Sequence, residues 1–162
     1  MRHDEQMTAN GHSIVRIEFT SAFEMLDFVQ VVSDHLARGI GLDEDSLHWV
    51  GVAIRESVIN AIKHGNHSDA SKHVFVEFET ATPADVPELT IRVRDQGEGF
   101  DPETVANPLD PENLLKSSGR GIFLIRNFMD DMQLRRAPEG GMEIRMVKRV
   151  HRPGASDRSA QA

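Results

Sequence analysis

The sequence Asp95-Gln96-Gly97-Glu98-Gly99 decides the fold, because it joins a carboxylate to two glycines directly after an apolar run. Residues 88–95 alternate between apolar and polar side chains, which predicts a β-strand that ends at Asp95. A carboxylate there can accept a hydrogen bond from an exocyclic amine such as that of adenine, and Gly97 and Gly99 let a flat base approach the backbone. The motif is also typical of an ordinary turn, so it needs support from elsewhere.

Upstream, the sequence predicts a long helix that starts after Asp43, a suitable N-cap, and ends near His64 before Gly65. Its apolar residues share one face at 100° per residue, and Glu56, Asn60 and Lys63 share the opposite face. The residues of the apolar face are Leu47, Val50, Ile54, Val58 and Ala61.

Glu56 and Asn60 lie one helical turn apart, so their side chains project into the same volume. An amide oxygen suits a magnesium ion that takes its other ligands from water and phosphate. The carboxylate could accept a proton, and Lys63 offers a positive charge to phosphate. The alternative is a solvated helix face with an ordinary polar pair.

Downstream, residues 96–118 show little periodicity, and a loop of that length in a compact domain suggests a lid. Gly119-Arg120-Gly121 then opens an apolar helix whose free amides could bind phosphate, although the glycines could equally serve as a flexible entry. The three motifs stand in the order that a nucleotide site requires, and their combination favours the nucleotide over three separate coincidences.

The remaining pattern predicts an α+β fold: a two-layer sandwich of a mixed, mostly antiparallel sheet of about five strands, with three main helices on one face. Ser21 and Glu24 form a capping box that opens a helix to about Ala37. The predicted strands are residues 14–19, 72–81, 88–95, 132–136 and 142–150.

Composition predicts one domain, residues 13–150, between a flexible N-terminus of residues 1–12 and a flexible tail of residues 151–162. The chain lacks cysteine and shows no signal peptide, so a cytoplasmic location without disulfides or thiolate metal sites is expected. The net charge of −8 disfavours nucleic acid and suits a basic protein partner. The eight histidines show no convincing zinc-binding pattern.

At this point the chain resembles the GHKL, or Bergerat-fold, ATPases over residues 13–150. Arg55–Gly65 corresponds to the N box, Asp95–Gly99 to the G1 box and Gly119–Ile122 to the G2 box. The stretches Asn60–Gly65 and Gly119–Asp130 are more closely similar to the serine-kinase anti-sigma factors of bacterial partner-switching systems.

The resemblance implies that ATP and Mg bind, that Asp95 recognises adenine, that Asn60 holds magnesium against the phosphates, and that Glu56 is the catalytic base. It also implies further nucleotide contacts from Lys63, His64, Gly97, Gly99, Gly119, Arg120, Gly121 and Ile122.

The function that this resemblance implies is a protein serine/threonine kinase that phosphorylates an anti-anti-sigma factor and, as a homodimer, sequesters a sigma factor to regulate transcription. Two alternatives stay open: a non-catalytic module that sequesters its target in response to nucleotide, and a histidine-kinase-like ATPase acting in trans. Histidine kinases normally carry a dimerising helical hairpin before these boxes, which 12 leading residues do not accommodate.

One residue departs from the family pattern. The family often carries threonine after the glycine of the last turn, where its hydroxyl assists adenine binding through water, whereas this chain has Met142. Losing one neutral hydrogen bond costs about 0.5–1.5 kcal/mol, so we expect weaker but not abolished ATP binding.

Overall fold

The computed structural model describes residues 11–99 and 117–151, and residues 117–120 as backbone only. The elements are β1 (Ser13–Thr20), α1 (Met25–Ile40), α2 (Glu44–Asn60), a π-helical turn (Ala61–Gly65), β2 (His73–Ala81), a 3-10 turn (Pro83–Asp85), β3 (Glu88–Arg94), α3 (Ser117–Phe128), β4 (Asp131–Arg136) and β5 (Met142–Arg149). The expected termini (1–12 and 151–162) fall almost wholly outside the described residues, as does most of the expected lid.

The five strands form one sheet in the order β1-β2-β3-β5-β4. All four described pairings are antiparallel, so the α+β sandwich is confirmed while its mixed sheet is corrected to an antiparallel one. Strands β1 and β2 are neighbours although α1 and α2 lie between them in the chain, and β5 lies between β3 and β4, antiparallel to both.

The core lies between the sheet and the helices. Along β2, Val74, Val76 and Phe78 are buried and alternate with half-buried polar or aromatic residues, as period-two patterning requires. The four predicted apolar residues within α2 are all buried, as is Ala61 at the start of the π-helical turn, because residues at helical spacing share the face that meets the sheet. The sequence therefore predicted this layer correctly.

Helix α2 begins where local chemistry predicts. Asp43 Oδ1 accepts a hydrogen bond from the Ser46 amide at 2.8 Å, and this bond holds the pKa of Asp43 below its ordinary value. Both partners lie within one turn of chain, so the sequence alone contains the whole interaction.

The capping box predicted for α1 is wrong. The helix begins at Met25, four residues after Ser21, and its N-cap residue Glu24 makes no side-chain cap hydrogen bond. The Ser21 hydroxyl instead donates to the Lys72 carbonyl at 2.8 Å and accepts from the amide of Asn66 at 3.0 Å. Ser21 therefore bonds to residues far away in the chain and does not cap α1.

Candidate active site

Asp95 lies immediately after β3 and is 5% exposed. Its Oδ1 accepts hydrogen bonds from the backbone N–H groups of Gly97 at 2.9 Å and Met142 at 3.1 Å. Its own N–H donates to the Met142 carbonyl at 3.1 Å. Among the described residues, Oδ2 has no hydrogen-bond partner. One carboxylate oxygen therefore fixes the side chain, and the other remains able to accept.

Three glycines surround this carboxylate because no Cβ atom would fit there. A Cβ on Gly65 would collide with the Asp95 side chain, one on Gly97 with the Gly65 carbonyl, and one on Gly141 with the Asp95 carbonyl. Gly141 also has a φ of +78°, which disfavours other residues. We call Gly65, Asp95, Gly97, Gly141 and Met142 the Asp95 pocket.

The two glycines of the first motif have different roles. Gly99 has a φ of +71°, as a turn glycine does, whereas Gly97 is absent from the left-handed region and is required for space. The Arg136 guanidinium donates to the carbonyl of Glu98 at 2.7 Å, which attaches this turn to β4. Asp95–Gly99 is therefore both a turn and a close-packed wall of the pocket.

Asn66 holds the segments around the pocket together, and sequence reasoning missed it. It is fully buried; its Nδ2 donates to Ser21 Oγ and to the His73 carbonyl at 2.9 Å, and its Oδ1 accepts from the Gln96 amide at 2.7 Å. A buried amide is stable only when its polar atoms are paired. The only signal in the sequence is an asparagine next to the helix-ending Gly65, which is typical of any turn.

The second half of the site lies at the contact between α2 and α3. A Cβ on Gly121 would lie 2.8 Å from Glu56 Oε2 and 3.3 Å from Asn60 Nδ2, so the α3 backbone passes directly beside both side chains. Both are half-buried, and neither has a hydrogen-bond partner among the described residues. We call Glu56, Asn60 and Gly121 the Glu56 cluster.

Lys63 and His64 lie in the π-helical turn that follows α2. The Asn66 amide donates to the Ala61 carbonyl at 2.8 Å, five residues back, which widens the turn. A wider turn moves Lys63 away from the position that regular helical spacing predicts. Both side chains are exposed and have no ion pair or hydrogen bond within the described part of the chain.

Helix α3 begins at Ser117, two residues before the predicted glycine entry. Gly119 and Arg120 therefore lie within the first turn of α3 as described. Gly121 is buried and Ile122 half-buried. The geometry thus gives Gly121 a close approach to Glu56.

Together the two halves fit a nucleotide. The Asp95 pocket offers a fixed acceptor beside a wall without side chains, which suits an amine-bearing planar base. The Glu56 cluster offers an amide oxygen of the kind magnesium accepts, a carboxylate, and a nearby helix N-terminus for phosphate. Helix α2 and its π-helical turn connect the two halves, from Glu56 to Gly65.

Two further observations concern metal binding and membrane-spanning helices. In residues 11–99 and 117–151, no three histidine or carboxylate side chains gather closely enough to hold a metal ion by themselves. Over the same residues, no helix has both the length and the apolar character needed to cross a membrane.

The chain matches a protein-family model described as a histidine kinase-like ATPase domain over residues 20–148. It is 30% identical to the anti-sigma F factor of Oceanobacillus iheyensis over 138 residues, which cover 83% of this chain and 90% of that protein. It is 32% identical to the anti-sigma F factor of Bacillus velezensis over 145 residues, 87% and 95% of the two chains. It is 23% identical to the serine-protein kinase RsbW of Listeria innocua over 149 residues, 88% and 91%.

Proposed function

Because this chain belongs to the histidine kinase-like ATPase family, we propose that it is an ATP-dependent protein serine/threonine kinase and an anti-sigma factor. The observation that carries the kinase assignment is the approach of the Gly121 backbone to Glu56 and Asn60, two polar side chains without partners among the described residues. Relatives named anti-sigma F factor and serine-protein kinase support the same assignment.

In this proposal each end of the site has one task. Asp95 Oδ2 accepts a hydrogen bond from the exocyclic amine of adenine, while Oδ1 stays bound to the Gly97 and Met142 amides. The Asn60 amide oxygen is the protein ligand for magnesium. Amides at the start of α3, together with Lys63, His64 and Arg120, bind the phosphates, and Gly97, Gly99, Gly119 and Ile122 line the nucleotide. Mg-ATP, when bound, would supply the phosphoryl group, and its magnesium ion would neutralise charge on the phosphates.

Glu56 acts as the general base. It takes the proton of the acceptor hydroxyl as the oxygen of that hydroxyl bonds to the γ-phosphorus, and the bond from that phosphorus to the oxygen bridging to ADP breaks. The products are phosphoserine or phosphothreonine and ADP. Catalysis otherwise consists of positioning and charge neutralisation.

The proposed partners are a small anti-anti-sigma factor as phosphoacceptor and a sigma factor as the sequestered target, in the cytoplasm and with regulation of transcription as the result. The names of relatives support a sigma factor as target and a protein serine as acceptor, and the net charge of −8 suits a basic partner surface. We propose a homodimer as the working unit, which light scattering on the purified chain tests directly: a monomer at all concentrations contradicts it.

The decisive experiment is a single-turnover assay with γ-labelled ATP and candidate anti-anti-sigma proteins. Glu56→Gln should keep ATP affinity and lower transfer by about 10²–10⁴-fold, the usual contribution of a general base. Glu44→Gln, an exposed change in the first turn of the same helix, is the matched control and should transfer like the unaltered protein. Full transfer by Glu56→Gln would remove the base assignment.

The same assay separates the alternatives. Nucleotide-dependent capture of a sigma factor without labelled product would identify the non-catalytic sequestering module. Acid-labile label would identify phosphohistidine and a histidine-kinase-like ATPase acting in trans, whereas acid-stable label agrees with phosphoserine.

A further inference from the structure

Trp49 and Phe128 join α2 to the far end of α3. Their rings stack face to face, with centroids 3.5 Å apart and planes inclined by 2°. The His48 and Trp49 rings form a T-shaped pair, with centroids 5.0 Å apart and planes inclined by 71°. Both stacked side chains are half-buried, so the pair lies at the rim of the helix interface.

The position of this stack relative to the Glu56 cluster is regular. Trp49 precedes Glu56 by seven residues, and Phe128 follows Gly121 by seven. Seven residues make about two helical turns, or about 10 Å of axis. Since Trp49 meets Phe128 and Glu56 meets Gly121, the two helices run antiparallel and touch at two points separated by the same length on each helix.

The two contact points differ in what binds them. At Gly121 a backbone without a side chain passes two polar side chains, and no hydrogen bond joins α3 to Glu56 or Asn60 among the described residues. At the other point a large aromatic pair packs in a defined geometry. Ile125, one turn from Gly121, is fully buried. The stack at Phe128 is therefore the contact with a defined ring geometry, and the contact at Gly121 has no hydrogen bond among the described residues.

We propose that Trp49 and Phe128 are positioning residues for the phosphate end of the site, because their stack sets where the first turn of α3 lies relative to Glu56 and Asn60. This inference rests on the proposed function, since the first turn of α3 is the proposed phosphate-binding element. It adds a determinant of ATP affinity outside the residues proposed to touch the nucleotide, and it makes Trp49 a built-in reporter of α3.

Phe128→Leu tests the proposal, with Phe123→Leu as its control. Phe123 is 38% exposed on the same helix and makes no ring contact within the described residues. By calorimetry, Phe128→Leu should raise the Kd for ATP about three- to tenfold, the factor that one aromatic pair provides. Phe123→Leu should leave it unchanged.

Adenosine separates positioning from general damage. Measured by competition, its affinity should change less than about twofold in Phe128→Leu, because adenosine lacks phosphates and its contacts lie at the distant Asp95 pocket. Phe128→Tyr, which keeps the stack, should restore ATP affinity. If Phe128 only stabilised the fold, Phe128→Leu would lower the fraction of protein that binds ATP and leave the Kd for ATP unaltered. That result would overturn the proposal.

Fluorescence gives the second readout. Trp49 is the only tryptophan and the chain has no tyrosine, so emission reports this ring alone. Addition of Mg-ATP to the unaltered protein should change the Trp49 emission, and Phe128→Leu should reduce the change. An unaltered protein that binds ATP with no emission change would overturn the coupling while leaving the kinase assignment intact. Failure to bind ATP at all would remove both.

Discussion

The Asp95 pocket and the Glu56 cluster are the two ends of the proposed nucleotide site, and they are built in opposite ways. In the pocket, backbone amides occupy one oxygen of Asp95, and glycines leave no room for adjustment. In the cluster, two side chains stand without partners among the described residues, beside a single glycine. Recognition of an invariant base benefits from a rigid surface, whereas phosphoryl transfer needs groups that remain available for substrate and metal.

The largest effect in this comparison should be a loss of folding stability when one methyl group is added to the Asp95 pocket. Gly141→Ala forces a Cβ against the Asp95 carbonyl. Gly140 has a similar φ of +95°, but a Cβ added there would have no neighbouring atom within 4 Å. Left-handed strain costs each variant about 1–2 kcal/mol, and the collision adds about 1–3 kcal/mol for Gly141→Ala alone.

Urea unfolding of the two alanine variants measures this difference directly. Gly140→Ala is the matched control, because it carries the strain without the collision. Equal destabilisation of the two variants would show that the pocket is not rigid and would remove the contrast between the two ends.

Asp95→Asn should weaken ATP binding at least about tenfold. The asparagine Oδ1 can still accept from the Gly97 and Met142 amides, which leaves the amide nitrogen in the position of Oδ2, where it opposes the adenine amine. A hydrogen bond to a charged group is worth about 1.5–3 kcal/mol. Calorimetry measures the affinity, and an unchanged value would remove Asp95 from base recognition. An unaltered melting temperature would show that the pocket itself survives.

Met142→Thr should tighten ATP binding by up to about tenfold, the value of one neutral hydrogen bond. The residue is buried, and its backbone N–H and carbonyl both bond to Asp95. Met142→Val is the control, because valine has the shape of threonine without the hydroxyl. If both variants bind ATP equally, the hydroxyl is not a determinant in this chain.

The smallest predicted effect concerns how α3 is anchored beyond the Glu56 cluster. Asp130 follows α3, and its carboxylate accepts from the Arg149 amide at 2.6 Å and pairs with His151 at 2.9 Å. Burial raises the pKa of Asp130, but the bonds from Arg149 and His151 outweigh it, so the pKa lies below its ordinary value of 3.8. Ionised Asp130 therefore stabilises the fold above that value, and the contribution is lost as the pH falls through the lower folded pKa.

Asp130→Asn tests this anchoring. The variant should be less stable than the unaltered protein by up to about 1 kcal/mol at neutral pH, because solvent screens the pair. The difference should shrink below pH 3.8, as followed by urea unfolding at several pH values. A difference that is independent of pH would assign the effect to packing instead of charge.

Local patterns were read correctly where the partners lie close in the chain. Asp43 caps α2 through Ser46, three residues away, and the apolar residues of α2 are buried at their predicted spacing. The same reasoning failed at Ser21, whose hydroxyl bonds to partners 45 and 51 residues away. Capping signals describe only neighbours in sequence, so a distant partner that binds the same hydroxyl is invisible to them.

The site shows the same division. Glu56, Asn60, Asp95 and Gly121 were predicted from residue type and spacing, and their functional roles stay predictions, while the structure brings Gly121 to Glu56 and Asn60. Asn66 was missed, and Gly65 and Gly141 were read only as a helix end and a turn. Both must be glycine because a Cβ there would collide with Asp95. The local sequence around each glycine does not show that Asp95 lies beside it.

The sequence by itself determined the helices and strands, the order of the three motifs and the chemical groups available to them, because these depend on periodicity and on residue type. Only the tertiary structure decided the antiparallel order of the sheet, the pairing of Asp95 with Met142 across 47 residues, and the contact of α3 with Glu56. Those contacts join residues far apart in the chain, and their geometry depends on how whole elements pack.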